Sequence, residues 1–268
     1  MSDTGKTCQT DRMDPARASA LLRALSFEQQ IGTNDSLPPF FHQLYFWEAR
    51  PPSDLGRDGH PATGGLIPDT GLPRRMWAGG RLSFHAPLRA GVAAFRQSCV
   101  ENTAHKTGRS GPLGFVTLRH EIHQEGQLCV SEWQDLVYRN DPQPGIAPPP
   151  PPQAPIDEEV KQEARFDTTL LFRYSALTFN GHKIHYDLDY AREVEGYRGL
   201  VVHGPLLAQM LMLMAAKRAP LEYFSFRATS PLMHFETATL CQKGDALWVR
   251  GPDGRLCMTA STKSPISG

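Results

Sequence analysis

One segment of the chain would be apolar on nearly every side if it formed a helix. It runs from Pro205 to about Arg218, and its large apolar side chains are Leu206, Leu207, Met210, Leu211, Leu213 and Met214. Such a helix has no face that suits water, and helices of this kind are buried in a core. We therefore predict a central helix here, with a sheet wrapped around it.

In the first half of the chain, the pattern predicts helices followed by antiparallel strands. Asp14 and Pro15 mark the N-cap and the first residue of a helix that reaches about Leu25. A second helix is expected at 38–47, whereas residues 53–80 are rich in Gly and Pro and should be irregular. Strands are then predicted at 92–103, 113–123 and 127–138.

The second half has the same order of elements. A strand is expected at 166–174, followed by a polar loop, the central helix, and strands at 223–228, 237–242, 247–249 and 256–262. The two halves share too little identity to be called a sequence repeat, so the duplication is inferred from element order alone. The prediction is an α+β protein made of two similar units.

A proline-rich segment separates the two halves. Eight of the 23 prolines lie in residues 141–155, whose sequence is DPQPGIAPPPPPQAP. Proline cannot continue a helix or pair within a central strand, so this segment should be an extended linker. We therefore divide the chain into a first unit at 1–140, a linker at 141–155 and a second unit at 156–268.

Composition and charge narrow the classes of function. The 268 residues carry 28 basic and 28 acidic side chains, and no apolar run is long enough to cross a bilayer. Zero net charge gives no reason to expect a nucleic acid or an anionic membrane as partner, so a small molecule is the expected ligand. Five scattered cysteines without a C-x-x-C pair, and an N-terminus without an apolar leader, predict reduced thiols and a cytoplasmic location.

The residues with the clearest chemistry lie between positions 173 and 209. His182 and His185 fall in a turn-prone segment that begins at Asn180, and His203 and Gly204 directly precede the central helix. A loop imidazole can transfer protons near neutral pH, and the first N–H groups of a helix can hold a developing negative charge. Addition of water to an unsaturated acyl thioester needs such a base and such an oxyanion donor.

Long stretches of the sequence resemble the MaoC-like hot-dog hydratases and dehydratases. The resemblance lies in LGRDGHPATGGLIPDTGLPRRMWAGG, FHAPLRAG and KTGRSGPLGFVTLRHEI in the first half, and in FRYSALTFNGHKIHYD and YAREVEGYRGLVVHGPL in the second. The most similar branch contains mesaconyl-C4-CoA hydratase, itaconyl-CoA hydratase and type 2 hydroxyacyl-thioester dehydratase. The resemblance implies a double hot-dog fold, with two curved antiparallel sheets each wrapped around a central helix, and hydro-lyase activity on an acyl-CoA.

One position departs from the pattern of this family. The single hot-dog relatives use D-x-N-P-x-H, in which the aspartate and the histidine hold and deprotonate water, and here Asn180 stands five residues before His185 where the aspartate would be. An amide cannot take up a proton. The resemblance therefore implies that His185 is the base, that Asn180 orients water or substrate, and that the Gly204 amide binds the oxyanion.

Two further residues are predicted to bind substrate, and no cofactor is expected. Arg173 is a candidate because arginine binds phosphate or carboxylate groups, and His203 is a candidate because it adjoins the helix start. CoA enters only as part of the substrate. The spacing of His182, His185 and Asp187 could suggest metal ligation, but a loop without further ligands does not complete a metal shell, so no metal is predicted.

Several alternatives stay open. His185 could be a structural loop histidine, and Gly204 could serve only the turn into the helix. The preferred reaction is hydration of a C5 dicarboxylyl-CoA, mesaconyl-CoA or itaconyl-CoA, to citramalyl-CoA, catalysed by the second unit. The alternatives are a 3-hydroxyacyl-thioester dehydratase of fatty acid synthesis and a non-catalytic acyl-thioester binding protein. Thioester hydrolysis is less favoured, because Gln209 is the only polar side chain in the helix before Lys217. Association into a homodimer is also left open.

Overall fold

All the strands of the described chain join in a single antiparallel sheet. The computed structural model describes residues 5–108, 111–141 and 149–263. Within them the strands are β1 (Lys6–Asp11), β2 (Arg74–Phe84), β3 (Ala94–Gly108), β4 (Gly111–Gln124), β5 (Gln127–Arg139), β6 (Val160–Arg165), β7 (Tyr223–Ala228), β8 (Thr237–Lys243), β9 (Ala246–Arg250) and β10 (Leu256–Ser261). Their order across the sheet is β1-β3-β4-β5-β2-β7-β10-β9-β8-β6.

The sheet consists of two five-stranded halves with the same topology. Counted inward from its outer edge, the first half runs β1-β3-β4-β5-β2 and the second runs β6-β8-β9-β10-β7, which is the same order of strands within each unit. The halves meet where β2 and β7 pair, from Gly79 opposite Arg227 to Ser83 opposite Tyr223. The duplication inferred from element order is therefore confirmed in the strand topology. The prediction of two separate sheets is wrong, because this pairing makes them one continuous sheet.

Three α-helices accompany the sheet, α1 (Pro15–Ala24), α2 (Thr168–Thr178) and α3 (Gly204–Ala216). The carboxylate of Asp14 caps α1 by accepting a hydrogen bond from the N–H of Ala16 at 2.9 Å. The carboxylate of Asp167 caps α2 by accepting from the N–H of Leu170 at 2.8 Å. Because each of these two helices follows the outer-edge strand of its unit, they occupy equivalent places in the duplication, and they pack against each other.

The helix α3 is the central helix that the apolar pattern predicted. Nine of its 13 residues are buried, and it contacts β2, β7, β8, β9 and β10. Its polar side chain Gln209 is only 1% exposed and donates a hydrogen bond to the carbonyl oxygen of Pro39 at 2.8 Å. The central helix of the second half is therefore tied to the first half by a buried hydrogen bond.

The first half has no counterpart of α3 among its described residues. Where a helix was expected at 38–47, the chain forms only a short 3-10 turn, Phe41–Leu44. Phe40 and Phe46 on either side have positive φ angles of 71° and 60°, which a right-handed helix cannot contain. The prediction of a central helix in each unit is therefore wrong for the first unit. The side chain of His42 in this turn instead contacts the buried carboxylate of Glu132 in β5 at 3.0 Å.

Most other predicted elements agree with the structure, with one clear error. The helix α1, the strands β3 to β5 and the strands β7 to β10 lie where they were predicted. The strand expected at 166–174 is wrong, since this stretch belongs to α2 and the strand β6 precedes it. The Asp167 cap starts a helix there despite the β-branched and aromatic residues that favour a strand. The strand β1 was not predicted, and β2 begins inside the segment expected to be irregular.

The described end of the proline-rich segment runs along the second half. The predicted linker falls partly on residues 142–148, which lie outside the described residues. Beyond them, the carbonyl of Pro152 accepts from the N–H of Leu256 at 2.7 Å, and that of Pro155 accepts from Nε1 of Trp248 at 3.1 Å. In the described parts of the chain, no helix is both long and apolar enough to cross a membrane. Each of the five cysteines is a free thiol.

Candidate active site

His185 ends a 3-10 turn, Lys183–His185, and is held in one tautomer. Its side chain is 6% exposed, and its Nδ1 lies 2.7 Å from the carbonyl oxygen of Val201. Because a carbonyl oxygen only accepts, Nδ1 carries the hydrogen and Nε2 keeps a lone pair. Burial lowers the pKa of His185 to about 3, so the ring is neutral at physiological pH. The side chain can therefore accept a proton at Nε2.

His203 stacks on His185 at the start of α3. The two ring centroids are 3.6 Å apart and the rings are nearly parallel, at 19°. Nε2 of His203 shares a hydrogen bond of 2.8 Å with the hydroxyl of Ser175 in α2, whereas its Nδ1 has no partner among the described residues. Burial holds the pKa of His203 well below its usual value. The structure thus brings the predicted base next to the residue that precedes the central helix.

Gly204 is the first residue of α3, and its conformation does not require a glycine. Its φ is not positive, and an added Cβ would meet nothing closer than the carbonyl oxygen of Trp77 at 3.7 Å. Pro205 follows it and has no N–H, and no group in the described chain accepts the N–H of Gly204. The N–H of Gly204 is therefore a free donor at the positive end of the helix dipole.

Asn180 shapes the loop that leads to His185. Its backbone N–H donates to the carbonyl of Ser175 at 2.8 Å, which closes the end of α2. Its side-chain oxygen accepts from the N–H of His182 at 3.0 Å. Within the described residues no hydrogen bond joins Asn180 to His185, so its predicted contact with water or substrate stays a prediction.

The first half contributes an aspartate and a histidine that the sequence interpretation did not select. Oδ2 of Asp58 lies 3.2 Å from Nδ1 of His60. The ring of His60 lies 4.7 Å from that of His182, whose ring in turn lies 5.4 Å from that of His185. These four side chains, Asp58, His60, His182 and His185, form a row that crosses from the first half to the second. We call it the histidine row.

Two glycines allow the loops that carry this row to pack backbone against backbone. A Cβ on Gly59, whose φ is +89°, would overlap the carbonyl oxygen of Gly181, and a Cβ on Gly181 would lie 2.7 Å from the carbonyl oxygen of Gly59. The N–H of Lys183 also donates to the carbonyl of Asp58 at 2.8 Å. The letters DGH were part of the family resemblance, but nothing in their spacing linked them to the loop at 180–185.

Within the histidine row, Asp58 is ionised and the imidazoles are neutral. Burial opposes ionisation of Asp58, but the hydrogen bond with His60 holds the pKa of the carboxyl well below its usual value. Burial is the main cause that lowers the pKa of His60 and of His182, and the positive charge of Arg75 lowers both further. Nε2 of His182 is buried without a hydrogen-bond partner in the described chain.

The predicted Arg173 and a second arginine, Arg75, lie in different parts of the molecule. Arg173 is exposed on α2 and lines a surface depression together with Arg23 of α1, and no hydrogen bond or ion pair of the described chain joins it to the histidine row. Arg75 lies in β2 opposite Tyr138, is partly buried, and has no ion-pair partner among the residues that the structure describes. Of the two, Arg75 is the one whose charge acts on the histidine row.

Three members of the histidine row could be considered as metal ligands. Asp58, His60 and His182 each offer one ligand atom, and these atoms lie within 4.8 Å of one another. Ligand atoms about 2.0–2.2 Å from a zinc ion would lie roughly 3.3 Å apart. Asp58 and His60 share a hydrogen bond at 3.2 Å, so the close approach of these two groups is explained without a metal ion. In the other set of possible ligands, His182, His185 and Asp187, the carboxylate of Asp187 accepts a hydrogen bond from the N–H of Tyr190 at 2.9 Å.

The two histidines of the row that belong to the second half are buried. His182 and His185 are 7% and 6% exposed. Two surface depressions lie elsewhere, one lined by Phe95 and His123 and the other between α1 and α2.

Comparison with known proteins identifies the family. A family model described as hydroxyacyl-thioester dehydratase type 2 matches residues 40–234. The chain belongs to this family. It is 44% identical over 272 residues to mesaconyl-C(4)-CoA hydratase of Chloroflexus aurantiacus, an alignment that covers 98% of this chain and 97% of that protein. The family and this relative are named as dehydratase and hydratase, so this family member is a hydro-lyase.

Solved structures of low sequence identity show the same fold. The crystal structure of HtdX of Mycobacterium tuberculosis superposes with a TM-score of 0.68 at 19% identity and covers 96% of this chain and 98% of that one. A second protein of Mycobacterium tuberculosis, described as having a double hotdog fold, gives a TM-score of 0.55 at 14% identity and covers 96% and 94% of the two chains. This member of the dehydratase family therefore has a hot-dog fold.

Proposed function

We propose that this family member adds water reversibly across an α,β-unsaturated acyl-CoA, with His185 as the base. The observation that carries the proposal is the fixed tautomer of His185, whose Nδ1–H is bound to Val201 and whose Nε2 keeps its lone pair beside the start of α3. A thioester bound between this nitrogen and the free N–H of Gly204 would have its reacting atoms held by both groups.

The reaction can be written with these two groups alone. As the water oxygen bonds to Cβ of the substrate, one water proton passes to Nε2 of His185. The electron pair of the double bond moves towards the thioester carbonyl, whose oxygen becomes negative and accepts a hydrogen bond from the N–H of Gly204. The proton then passes from His185 to Cα, which restores the neutral ring and the carbonyl. Atoms and charge balance without a cofactor, and CoA is only part of the substrate.

The proposed substrate is a C5 dicarboxylyl-CoA, with mesaconyl-C4-CoA preferred and citramalyl-CoA as its product. One support is the 44% identity to a protein named mesaconyl-C(4)-CoA hydratase. The other is chemical. In mesaconyl-C4-CoA the double bond is conjugated with the thioester carbonyl. Addition of water therefore places negative charge on the thioester oxygen, where an oxyanion donor can bind it. In itaconyl-CoA the double bond is one carbon further away, so the same route would first need a proton shift.

Such a substrate carries two kinds of negative charge that need cationic partners. Arg75 is proposed for the free carboxylate, because its charge acts on His60 and His182 and it has no ion-pair partner in the described chain. Arg173, predicted from the sequence to bind substrate, is proposed with Arg23 for the phosphates of CoA, because both line the depression between α1 and α2.

A substrate panel tests the proposal. Purified protein is assayed for hydration of mesaconyl-C4-CoA, itaconyl-CoA and crotonyl-CoA, and we expect the highest kcat/KM for mesaconyl-C4-CoA. A strong preference for crotonyl-CoA would instead support a 3-hydroxyacyl-thioester dehydratase of fatty acid synthesis. The family model is described as a hydroxyacyl-thioester dehydratase. Binding of all three thioesters without turnover would identify a non-catalytic acyl-thioester binding protein.

The role of the base is tested by His185→Ala. We expect kcat to fall by about 10²-fold to 10⁴-fold, the range for loss of a general base, while KM changes much less. Unchanged turnover would remove His185 from the mechanism even if the panel showed hydration.

A further inference from the structure

The family pattern places an aspartate five residues before the histidine, and this chain has Asn180 at that position. A neutral base that accepts a proton inside a buried site becomes a buried cation, which is costly unless an opposite charge is near. In this chain the amide at position 180 supplies no such charge. The question is therefore which carboxylate takes its place.

The geometry points to Asp58. We infer that Asp58 and His60 are positioning residues for the hydration proposed above, and that Asp58, acting through His60 and His182, supplies the negative charge that balances the proton held by His185. The inference rests on the proposed function. It also gives the first half a part in the reaction, because Asp58 and His60 belong to that half.

The first observation that carries this inference is the close packing of the side chains in the histidine row. Asp58 contacts His60 at 3.2 Å, and the rings of His60, His182 and His185 follow at centroid distances of 4.7 Å and 5.4 Å. Nε2 of His182 is buried without a partner in the described chain, although buried nitrogens are normally hydrogen-bonded. A polar atom kept free in this position is suited to contact water or substrate next to His185.

The second observation is the way in which the two loops are fixed. The glycines at 59 and 181 permit backbone contact, and the N–H of Lys183 is bound to the carbonyl of Asp58 at 2.8 Å. The loop that carries His185 is therefore held against Asp58 by a direct backbone hydrogen bond. This backbone contact holds the side chain of Asp58 at a fixed place relative to the loop of His185.

The test moves the carboxylate from one position to the other. In Asp58→Asn, the side-chain oxygen can still accept from the N–H of His60, as Oδ1 of Asp58 does at 3.1 Å, but the charge is lost. In the double variant with Asn180→Asp, a carboxylate returns at the position that the relatives use, and it can keep the hydrogen bond that the residue 180 oxygen accepts from His182. Asp69→Asn is the control, because Asp69 is an exposed carboxylate of the same irregular segment.

The assay is steady-state hydration of mesaconyl-C4-CoA, or of the best substrate of the wild-type protein, together with thermal unfolding of each variant. We expect kcat of Asp58→Asn to fall about 10²-fold with KM within about threefold, and the double variant to recover at least about tenfold of that loss. Asp69→Asn should match the wild type. Recovery by a second carboxylate is a result that a purely structural role of Asp58 would not produce.

Three results would overturn the inference. The first is an Asp58→Asn variant whose kcat stays within about threefold of wild type. The second is a double variant as slow as the single one. The third is one equivalent of metal bound per chain, with activity lost on chelation, which would make Asp58, His60 and His182 ligands instead. Because every comparison is made with an active wild-type protein, failure of the proposed function itself is seen separately, as wild-type protein that hydrates no substrate of the panel.

Discussion

Gly59→Ala tests whether the contact between the two halves is needed for catalysis. An alanine Cβ at position 59 would overlap the carbonyl oxygen of Gly181, and the backbone φ of +89° is itself unfavourable for alanine. The substitution should therefore push the loop with His182 and His185 away from the first half. The contact is mutual, because a Cβ on Gly181 would have to recede from 2.7 Å to the 3.4 Å of an ordinary contact.

The expected size of the effect has two parts. The positive φ costs about 1–2 kcal/mol of folding stability for an alanine. The displacement of the loop acts on the reaction, since a misplacement of about 1 Å can cost 10²-fold in rate. We therefore expect kcat for mesaconyl-C4-CoA to fall about 10²-fold, well beyond what partial unfolding explains.

Gly64→Ala is the matched control for this prediction. Gly64 has a similar φ of +103°, but an added Cβ there would meet nothing within 4 Å. It should lose a similar amount of stability in urea unfolding while kcat stays at the wild-type value. If Gly59→Ala kept wild-type kcat, or if both variants lost kcat equally, the loop contact would not be what positions the histidines.

Three other predictions concern the site directly. Gly204→Ala keeps the backbone N–H and should leave the melting temperature unchanged, because its Cβ has room, yet lower kcat by about tenfold by displacing the thioester oxygen; an unaltered kcat would show that the thioester does not pack against the Cα of Gly204. Arg75→Gln should raise KM for mesaconyl-C4-CoA by about tenfold or more and leave crotonyl-CoA unaffected, as expected for loss of a charged hydrogen bond; equal effects on both would contradict carboxylate binding. The lowered pKa of His185, about 3 against 6.5 when exposed, means that the unfolded chain binds the proton first, so stability is full above pH 6.5 and falls as the pH drops below it. Urea unfolding should show that the free energy of unfolding falls by about 2 kcal/mol between pH 7.5 and pH 5 because of His185 alone. His185→Gln should remove that part of the pH dependence.

The periodic parts of the chain could be predicted from the sequence. The apolar run that forms α3 and the alternating runs that form β3 to β5 have local patterns of apolar residues that are sufficient to predict each element. The stretch at 166–174 could not be judged in this way, because its residues suit a strand and only the Asp167 cap commits it to a helix. Likewise the positive φ angles of Phe40 and Phe46 depend on packing that no local pattern reports.

In the candidate site too, local sequence patterns predicted some residues and missed those that depend on long-range contacts. His185, His203 and Gly204 were selected because a local motif connects them, and the structure brings them together. Asp58 and His60 were not selected, because they meet the loop at 180–185 only through contacts between residues more than 100 positions apart in the sequence. Arg173 was chosen for its closeness in sequence, yet it lies on the exposed face of α2. For Arg173, closeness in sequence to the loop did not mean closeness in space.

The pairing of β2 with β7 has a consequence for behaviour in dilute solution. Because both strands belong to one polypeptide, the two halves face each other at a high effective concentration that does not change when the sample is diluted. Two separate molecules paired along such an edge would dissociate at low concentration and lose any site formed by residues of both. A covalently joined pair keeps its turnover per molecule even when only a few copies are present.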